Sequence, residues 1–517
     1  MYYFIPAWYD SVRPFYDTTQ PWYRKKQGLS FNDTINHLRM FKATEAETQL
    51  TIFNYAPNLR YFLHEYDLYE TSYWSLFDYL QDIEDVATRG LNFRDFDWPK
   101  GTSFVYTPFM VLAYVNQTLI AKVEFGNDGQ LIWIDYYEDS ILEKRYVFDD
   151  RGFLSSIVCF QDGQAYYQDY LNQRGDIQFR EYLTAEDKHV QVMVYDEQRF
   201  WQEQYGSMAE LVAEVAYRYF LDHDQVGDVL LVALSEHHNQ IVEACRGVKD
   251  LVVSFFQERY PIELMSTDFI NQSDLILVDQ ASTESLLKDR VHPKVLHLSL
   301  FDTRLSLGKS QRLRELIVYF QIDGMTRDDL TQSLEYIFEL MSVNDNVILA
   351  IVSYEQDLTK KAELIAYVEQ LLGSREEDYL KLMEEVDESY EVDDEEDEDP
   401  ARVQLHFLVT ELDIIDVLDS ARLILDMSQT PDLYTQIAGI SAGIPQVNCV
   451  ETEFVEHQKN GYHVTSIAEI PKALAYFLEG LSHWNHSLVH SVQKIGEYTS
   501  GNLAQKVMES VVDVNND

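Results

Sequence analysis

The stretch from Leu423 to Val464 constrains the fold more tightly than any other part of the chain. Leu423-Ile424-Leu425 is an apolar run of strand length, and Asp432 to Ser441 has helical composition. Ala442-Gly443-Ile444-Pro445 then ends that helix, because glycine accepts a left-handed cap and proline cannot supply the next amide. Gln446 to Val450 resumes as a strand, and Lys459-Asn460-Gly461-Tyr462 predicts a turn into another short one. Strand, helix and strand in that order point to a parallel sheet covered by helices.

The same alternation extends over most of the chain. Leu316 to Phe320, Asn346 to Val352 and Val403 to Phe407 read as further strands, with a helix over Thr359 to Leu372. Near the start, Tyr2 to Ile5 and Gln49 to Phe53 are strand-like and flank a helical Phe31 to Phe41, for which Asn32 or Asp33 can serve as cap. Met208 to Leu221 is an apolar-periodic helix, and the strands Asp228 to Leu234, Leu251 to Phe256 and Asp274 to Asp279 continue the series. Between Thr102 and Val194 the texture changes to short alternating runs separated by Asn127-Asp128-Gly129, Asp149-Asp150-Arg151-Gly152, Gln161-Asp162-Gly163 and Gln173-Arg174-Gly175-Asp176. These are hairpin signals and predict an antiparallel meander, suited either to binding a partner or to stabilising the domain that carries it. The expected fold class is therefore α/β, with two Rossmann-like domains and an inserted antiparallel sheet. The boundaries are 1–101 and 201–293 for the first domain, 102–200 for the meander, 294–500 for the second domain and 501–517 for a closing helix and tail.

Charge narrows the function classes. The 517 residues carry a formal net charge of −48, which argues against nucleic-acid binding and against direct adhesion to an anionic membrane. Glu376 to Asp399 holds 15 carboxylates against one lysine, so this insertion accounts for −14 and leaves −34 on the rest of the chain. Such a run reads as a solvated insertion that can also order against a basic partner through Tyr379, Leu380, Leu382, Met383 and Tyr390. No apolar run reaches the roughly 18–20 residues of a membrane span, and Met1 to Pro6 has no basic signal-peptide start. Cys159, Cys245 and Cys449 lie far apart, which suits free thiols better than a metal or redox pair. These features point to the cytoplasm.

Few residues offer chemistry of their own. There is no nucleophile elbow, P-loop or zinc helix, and no metal or cofactor is expected. Glu236, His237 and His238 follow a strand's C-terminal end, where α/β proteins bind ligands, but adjacent side chains diverge and a solvated loop is the simpler reading. The loop after the first strand lacks glycine until Gly28 and is rich in aromatics, Trp8, Tyr9, Phe15, Tyr16, Trp22 and Tyr23. It suits either core packing or stacking on a sugar or protein surface.

Ser441-Ala442-Gly443-Ile444-Pro445 followed by Lys459-Asn460-Gly461-Tyr462-His463-Val464 resembles the nucleotide-sugar half of retaining glycosyltransferases of the GT-B architecture. That resemblance implies two glutamates eight positions apart, which fall here on Thr430 and Ala438, and a basic pair for the diphosphate, which falls near Ile322 and Arg327. Ala438 offers no side-chain acceptor and at most one cation remains, so the expectation is a kept fold with a degenerate donor site.

The whole chain is also similar to one family of the accessory Sec systems of certain Gram-positive bacteria, the first of their three core accessory secretory proteins. Met1 to Tyr9, Phe148-Asp149-Asp150-Arg151-Gly152-Phe153-Leu154, the acidic insertion and Thr435 to Pro445 carry this likeness. It implies a cytoplasmic, enzymatically silent adaptor, peripheral to the membrane through the translocase. Its partners would be the other two accessory secretory proteins and a SecA-type ATPase, with a glycosylated serine-rich-repeat adhesin as cargo. The alternatives are an active glycosyltransferase with a divergent donor site and a subunit that stabilises a transferase partner.

Overall fold

The computed structural model describes residues 1–24, 32–84, 87–184, 188–256, 259, 267–279, 281–298, 307–375, 380–383, 401–409, 411–497 and 499–514. These residues form three sheets, of seven, ten and six strands, and divide into two compact units. The first unit holds the described residues up to 298 together with 504–514, and the second holds 307–503. Among the described residues, no helix is long and apolar enough to cross a membrane.

In the first unit the parallel sheet runs Lys294–His297, Leu275–Val278, Asp250–Phe255, Val229–Ala233, Tyr2–Ile5, Thr48–Ile52 and Tyr73–Ser75. The chain begins in the middle, winds outward to one edge, and returns beside the first strand to wind toward the other. The topological switch therefore lies between Tyr2–Ile5 and Val229–Ala233, which pair in parallel with Tyr3 opposite Leu230. The continuous apolar runs are explained by burial on both faces, since all five residues of Val229–Ala233 are buried. Helix Met208–Asp222 contributes Leu211, Val212, Val215, Ala216 and Phe220 to this core. Lys294–His297 completes this sheet, so the expected domain boundary at 294 moves past it. Ser510, near the end of the chain, accepts a hydrogen bond from Lys294 Nζ at 3.3 Å.

The ten-stranded sheet, Ser103–Tyr106 to Gln204–Tyr205, is a pure antiparallel meander in which each strand pairs with its neighbours in sequence. Two of its two-residue turns carry no glycine. Asn116-Gln117 and Asp139-Ser140 hold positive φ angles of 48°, 66°, 48° and 66° in two-residue hairpins, a conformation asparagine and aspartate tolerate better than most residues.

The turn 149–152 fastens the meander to the parallel sheet. Asp150 accepts hydrogen bonds from the backbone N–H groups of Arg60 and Tyr61 at 2.8 and 3.3 Å, in the first turn of helix Leu59–Glu65. The Arg60 guanidinium bonds Asp150 and also Asp149, and Arg151 forms a bidentate pair with Asp78 at 2.8 and 2.9 Å. Gly152, at φ +93°, sits so close to the backbone oxygen of Arg89 that a Cβ would lie 2.2 Å from it.

The second unit's parallel sheet runs Val403–Phe407, Val347–Ser353, Leu316–Gln321, Ala421–Asp426, Gln446–Asn448 and Gly461–His463, again with the first strand in sequence at the centre. Helix Leu433–Ala442 ends at Gly443, with φ +72° and paired bonds from Gly443 N–H to Ile440 O at 2.9 Å and from Ile444 N–H to Gly439 O at 2.8 Å. The expected turn into a short strand forms at Asn460. Its buried amide bridges Phe454 O and Glu456 N–H, and Gly461 opens a parallel strand. Most of the acidic insertion lies outside the described residues. Leu380, within it, is buried in the unit's core, and Leu382 bridges to Val403.

Candidate functional site

In the second unit the switch point lies between Leu316–Gln321 and Ala421–Asp426, so the loops after these strands share one edge of the sheet. Ile322 and Arg327 follow the first strand and Thr430 follows the second. Ile322 is buried in the apolar core. Arg327 opens helix Arg327–Val343 and lays its guanidinium over the ring of Tyr367, 4.3 Å from the centroid. Thr430 is exposed, with its N–H on Ser428 Oγ at 3.1 Å. Ala438 is fully buried against an apolar cluster that includes Tyr319, Val352 and Ile424. Ile322, Arg327 and Thr430 thus follow the two central strands, with Ile322 and Ala438 both buried in apolar clusters.

Carboxylates occupy that edge. Asp323 accepts from Ser353 Oγ and from Tyr354 N–H, both at 2.6 Å. Asp426 accepts from the N–H groups of Ser428 at 2.9 Å and Asp432 at 3.1 Å. Asp432 caps helix Leu433–Ala442 and takes bonds from the hydroxyls of Thr435, at 2.7 Å, and Tyr354. Burial pushes the Asp426 carboxyl up to about 6, with Asp432 and Asp323 adding to the rise, and burial raises Asp323 as well. A site so arranged disfavours an anionic ligand, because each added negative charge meets carboxylates already short of compensation. Sequence reasoning anchored on the four aligned positions passed over these acids, which lie within a few residues of them.

The histidine loop of the first unit is structural. His238 is fully buried, its Nε2–H donating to Ala233 O at 2.8 Å and its Nδ1 accepting from the Tyr9 hydroxyl at 2.7 Å. Burial lowers its pKa to about 3, so the ring is neutral. His237 packs edge-on against Tyr9, and Glu236 is exposed. The Tyr9–His238 bond ties the loop after the first strand to the loop after Val229–Ala233, across the switch point.

Beside this closed crevice lies a cavity of about 680 Å³, between the loops that follow Tyr2–Ile5 and Thr48–Ile52 and the meander turn 126–130. The aromatic loop divides its labour. Trp8 and Tyr9 line the cavity, Phe15 enters the core, and Trp22 is 45% exposed and stacks on Phe109. Asn54, Asn58 and Asp17 also line it, and sequence reasoning singled out none of them. An asparagine after a strand reads as a loop or cap residue, so nothing local distinguishes these.

Two doubly wound parallel sheets and an added antiparallel sheet make a fold of the GT-B class. The pneumococcal O-GlcNAc transferase GtfA, solved with UDP and GlcNAc, matches the whole chain with a TM-score of 0.68 over 99% of its own length, and at 12% identity this likeness concerns the fold alone. Within that class the chain belongs to the family of the accessory Sec system protein known as accessory secretory protein 1, whose model matches residues 1–513. It is 37% identical to the family's accessory Sec system protein from Streptococcus gordonii, over 96% of each chain. It also matches the structure of accessory secretory protein 1, 2 and 3 in Streptococcus pneumoniae, with a TM-score of 0.85 and 36% identity over 100% of both chains.

Proposed function

We propose that this chain is a non-catalytic adaptor of accessory Sec export in the cytoplasm. It assembles with the other two accessory secretory proteins and a SecA-type ATPase, and delivers a glycosylated serine-rich-repeat adhesin to the translocase at the membrane. The observation that supports a non-catalytic role is the cluster of Asp323, Asp426 and Asp432 at the crevice where a donor diphosphate requires cations. Arg327 is held on Tyr367 instead, and Ala438 lies in the core. Assembly is supported by the pneumococcal relative, whose structure contains accessory secretory protein 1, 2 and 3.

Calorimetric titration with a panel of nucleotide sugars tests the reading. The expected result is no binding tighter than roughly millimolar, near about −4 kcal/mol. Micromolar binding of any donor overturns it in favour of an active transferase. Affinity capture from cells is expected to recover accessory Sec components. Recovery of a glycosyltransferase in their place makes the chain a stabilising subunit of that enzyme.

A further inference from the structure

A row of polar side chains crosses the second unit's sheet at the C-terminal ends of its strands. Gln321, Asp426 and Asn448 are register partners on three adjacent parallel strands, so their side chains share one face with Asp426 in the middle. On that face Asp432, the cap of helix Leu433–Ala442, donates its N–H to Asp426. Each member of the row is 3% exposed. Gln321 Nε2 donates to Asp323 at 3.2 Å, and Asn448 Nδ2 donates to the carbonyl oxygen of Val450 at 3.1 Å. The amide oxygens, Gln321 Oε1 and Asn448 Oδ1, are buried without a partner. Turning either amide round mends nothing, because its oxygen would then face the oxygen it now donates to. Buried acceptors are nearly always satisfied in folded proteins, by another protein group, by water or by an ion.

The charge around the row selects its ligand. Asp432 and Asp323 both act on Asp426 and, with its burial, make a negative charge there costly. Among the described residues, none of these three carboxylates pairs with a lysine or arginine. A row of acceptors beside three acids rejects anions and calls for positive charge. Among the described residues, no three carboxylate, histidine or cysteine side chains converge on one point, as a strongly held zinc or calcium ion requires. One carboxylate between two neutral carbonyl oxygens is instead an all-oxygen donor set with a single negative charge. Such a hard set suits an alkali-metal ion, which is no larger than a water molecule and needs no open cavity. Water could donate to the two carbonyls, but it would leave the charge of Asp426 uncompensated.

We infer that Asp426, Gln321 and Asn448 bind one sodium or potassium ion at the edge of the second unit's sheet. The ion offsets one of three carboxylate charges, so the crevice stays negative, and the inference neither rests on the adaptor reading nor alters it. The test is sodium NMR relaxation of the full chain in choline chloride buffer as sodium is added, followed by displacement with potassium. Thermal melting in sodium, potassium or choline chloride at equal ionic strength accompanies it, which holds general screening fixed. The sodium resonance is expected to broaden saturably and to sharpen again with potassium. Sodium or potassium is expected to raise a melting transition by about 2–4 °C over choline. Asp426→Asn removes the charge and is expected to abolish the saturable broadening, whereas diffuse attraction to a chain of net charge −48 persists in the variant. Should D426N melt early, Gln321→Met carries the same comparison, keeping the length of the side chain and losing its carbonyl, with sodium affinity expected to fall about fivefold or more. Equal melting in all three salts together with no saturable broadening refutes the inference. So does broadening that is unmoved in the folded variant. Calcium displacing the Asp426-dependent sodium signal at lower concentration than potassium does overturns the monovalent assignment.

Discussion

Replacing Asp150 with alanine removes the acceptor that caps helix Leu59–Glu65 and one of the two carboxylates that hold Arg60. The lost cap costs about 1 kcal/mol. The lost charge-assisted bonds from Arg60 cost about 1.5–3 kcal/mol. Two effects offset part of this. Arg60 keeps Asp149 at 3.3 Å, and the Asp150 carboxyl, lifted to about 6 mainly by burial, is itself unfavourable to ionise in place. A net loss of about 2–3 kcal/mol follows for the first unit, against a smaller loss of about 1 kcal/mol for Asp150→Asn, which keeps an oxygen for the helix N–H groups. Urea unfolding followed by near-ultraviolet circular dichroism, sensitive to the many aromatic contacts of this unit, measures the shift in midpoint. Limited proteolysis should open the meander before the parallel sheet. A midpoint for D150A equal to that of the parent, or equal losses for D150A and D150N, would refute the capping role.

Three further outcomes are expected. Asp17 has its carboxyl raised to about 6 by burial, above its ordinary value of 3.8, so the folded state holds the extra proton between those values and its stability falls as pH rises through them. Because Thr19 bonds only Oδ1, Asp17→Asn keeps both bonds and should gain about 1–3 kcal/mol at pH 7.5, vanishing near pH 4, when denaturation midpoints are compared across pH. Tyr9→Phe leaves the buried Nδ1 of His238 without its donor and should lower stability by about 1–3 kcal/mol in urea titration; an unchanged midpoint counts against the bond across the switch point. Gly443→Ala places a Cβ at φ +72° and 2.2 Å from Leu488 Cδ1, and should destabilise the second unit by about 1–3 kcal/mol in thermal melts, with no effect on the first.

What local chemistry governs was legible in the chain itself. Continuous apolar runs such as Val229–Ala233 mark strands buried on both faces, and Gly443 before Pro445 marks a helix stop, because each depends on a residue and its immediate neighbours. The glycine-bearing meander turns were legible for the same reason, whereas Asn116-Gln117 and Asp139-Ser140 passed unnoticed because non-glycine residues adopt the left-handed conformation there. The strand Lys294–His297 gives no local sign of which sheet it joins; pairing with Leu275–Val278 decides that. The candidate sites depended on tertiary structure still more. Asp323, Asp426 and Asp432 become one cluster only when two strands distant in sequence lie side by side. Asn58 reads as an ordinary cap, and it is freed only because Asp150, about 90 residues away, reaches the helix first. The order of residues along the chain was enough to mark many of the strands and helices, though not helix Leu59–Glu65 or strand Tyr73–Ser75. Which side chains are left with unspent hydrogen bonds emerged from the folded arrangement alone, since a hydrogen-bond partner is set by proximity in space and not by position in the chain.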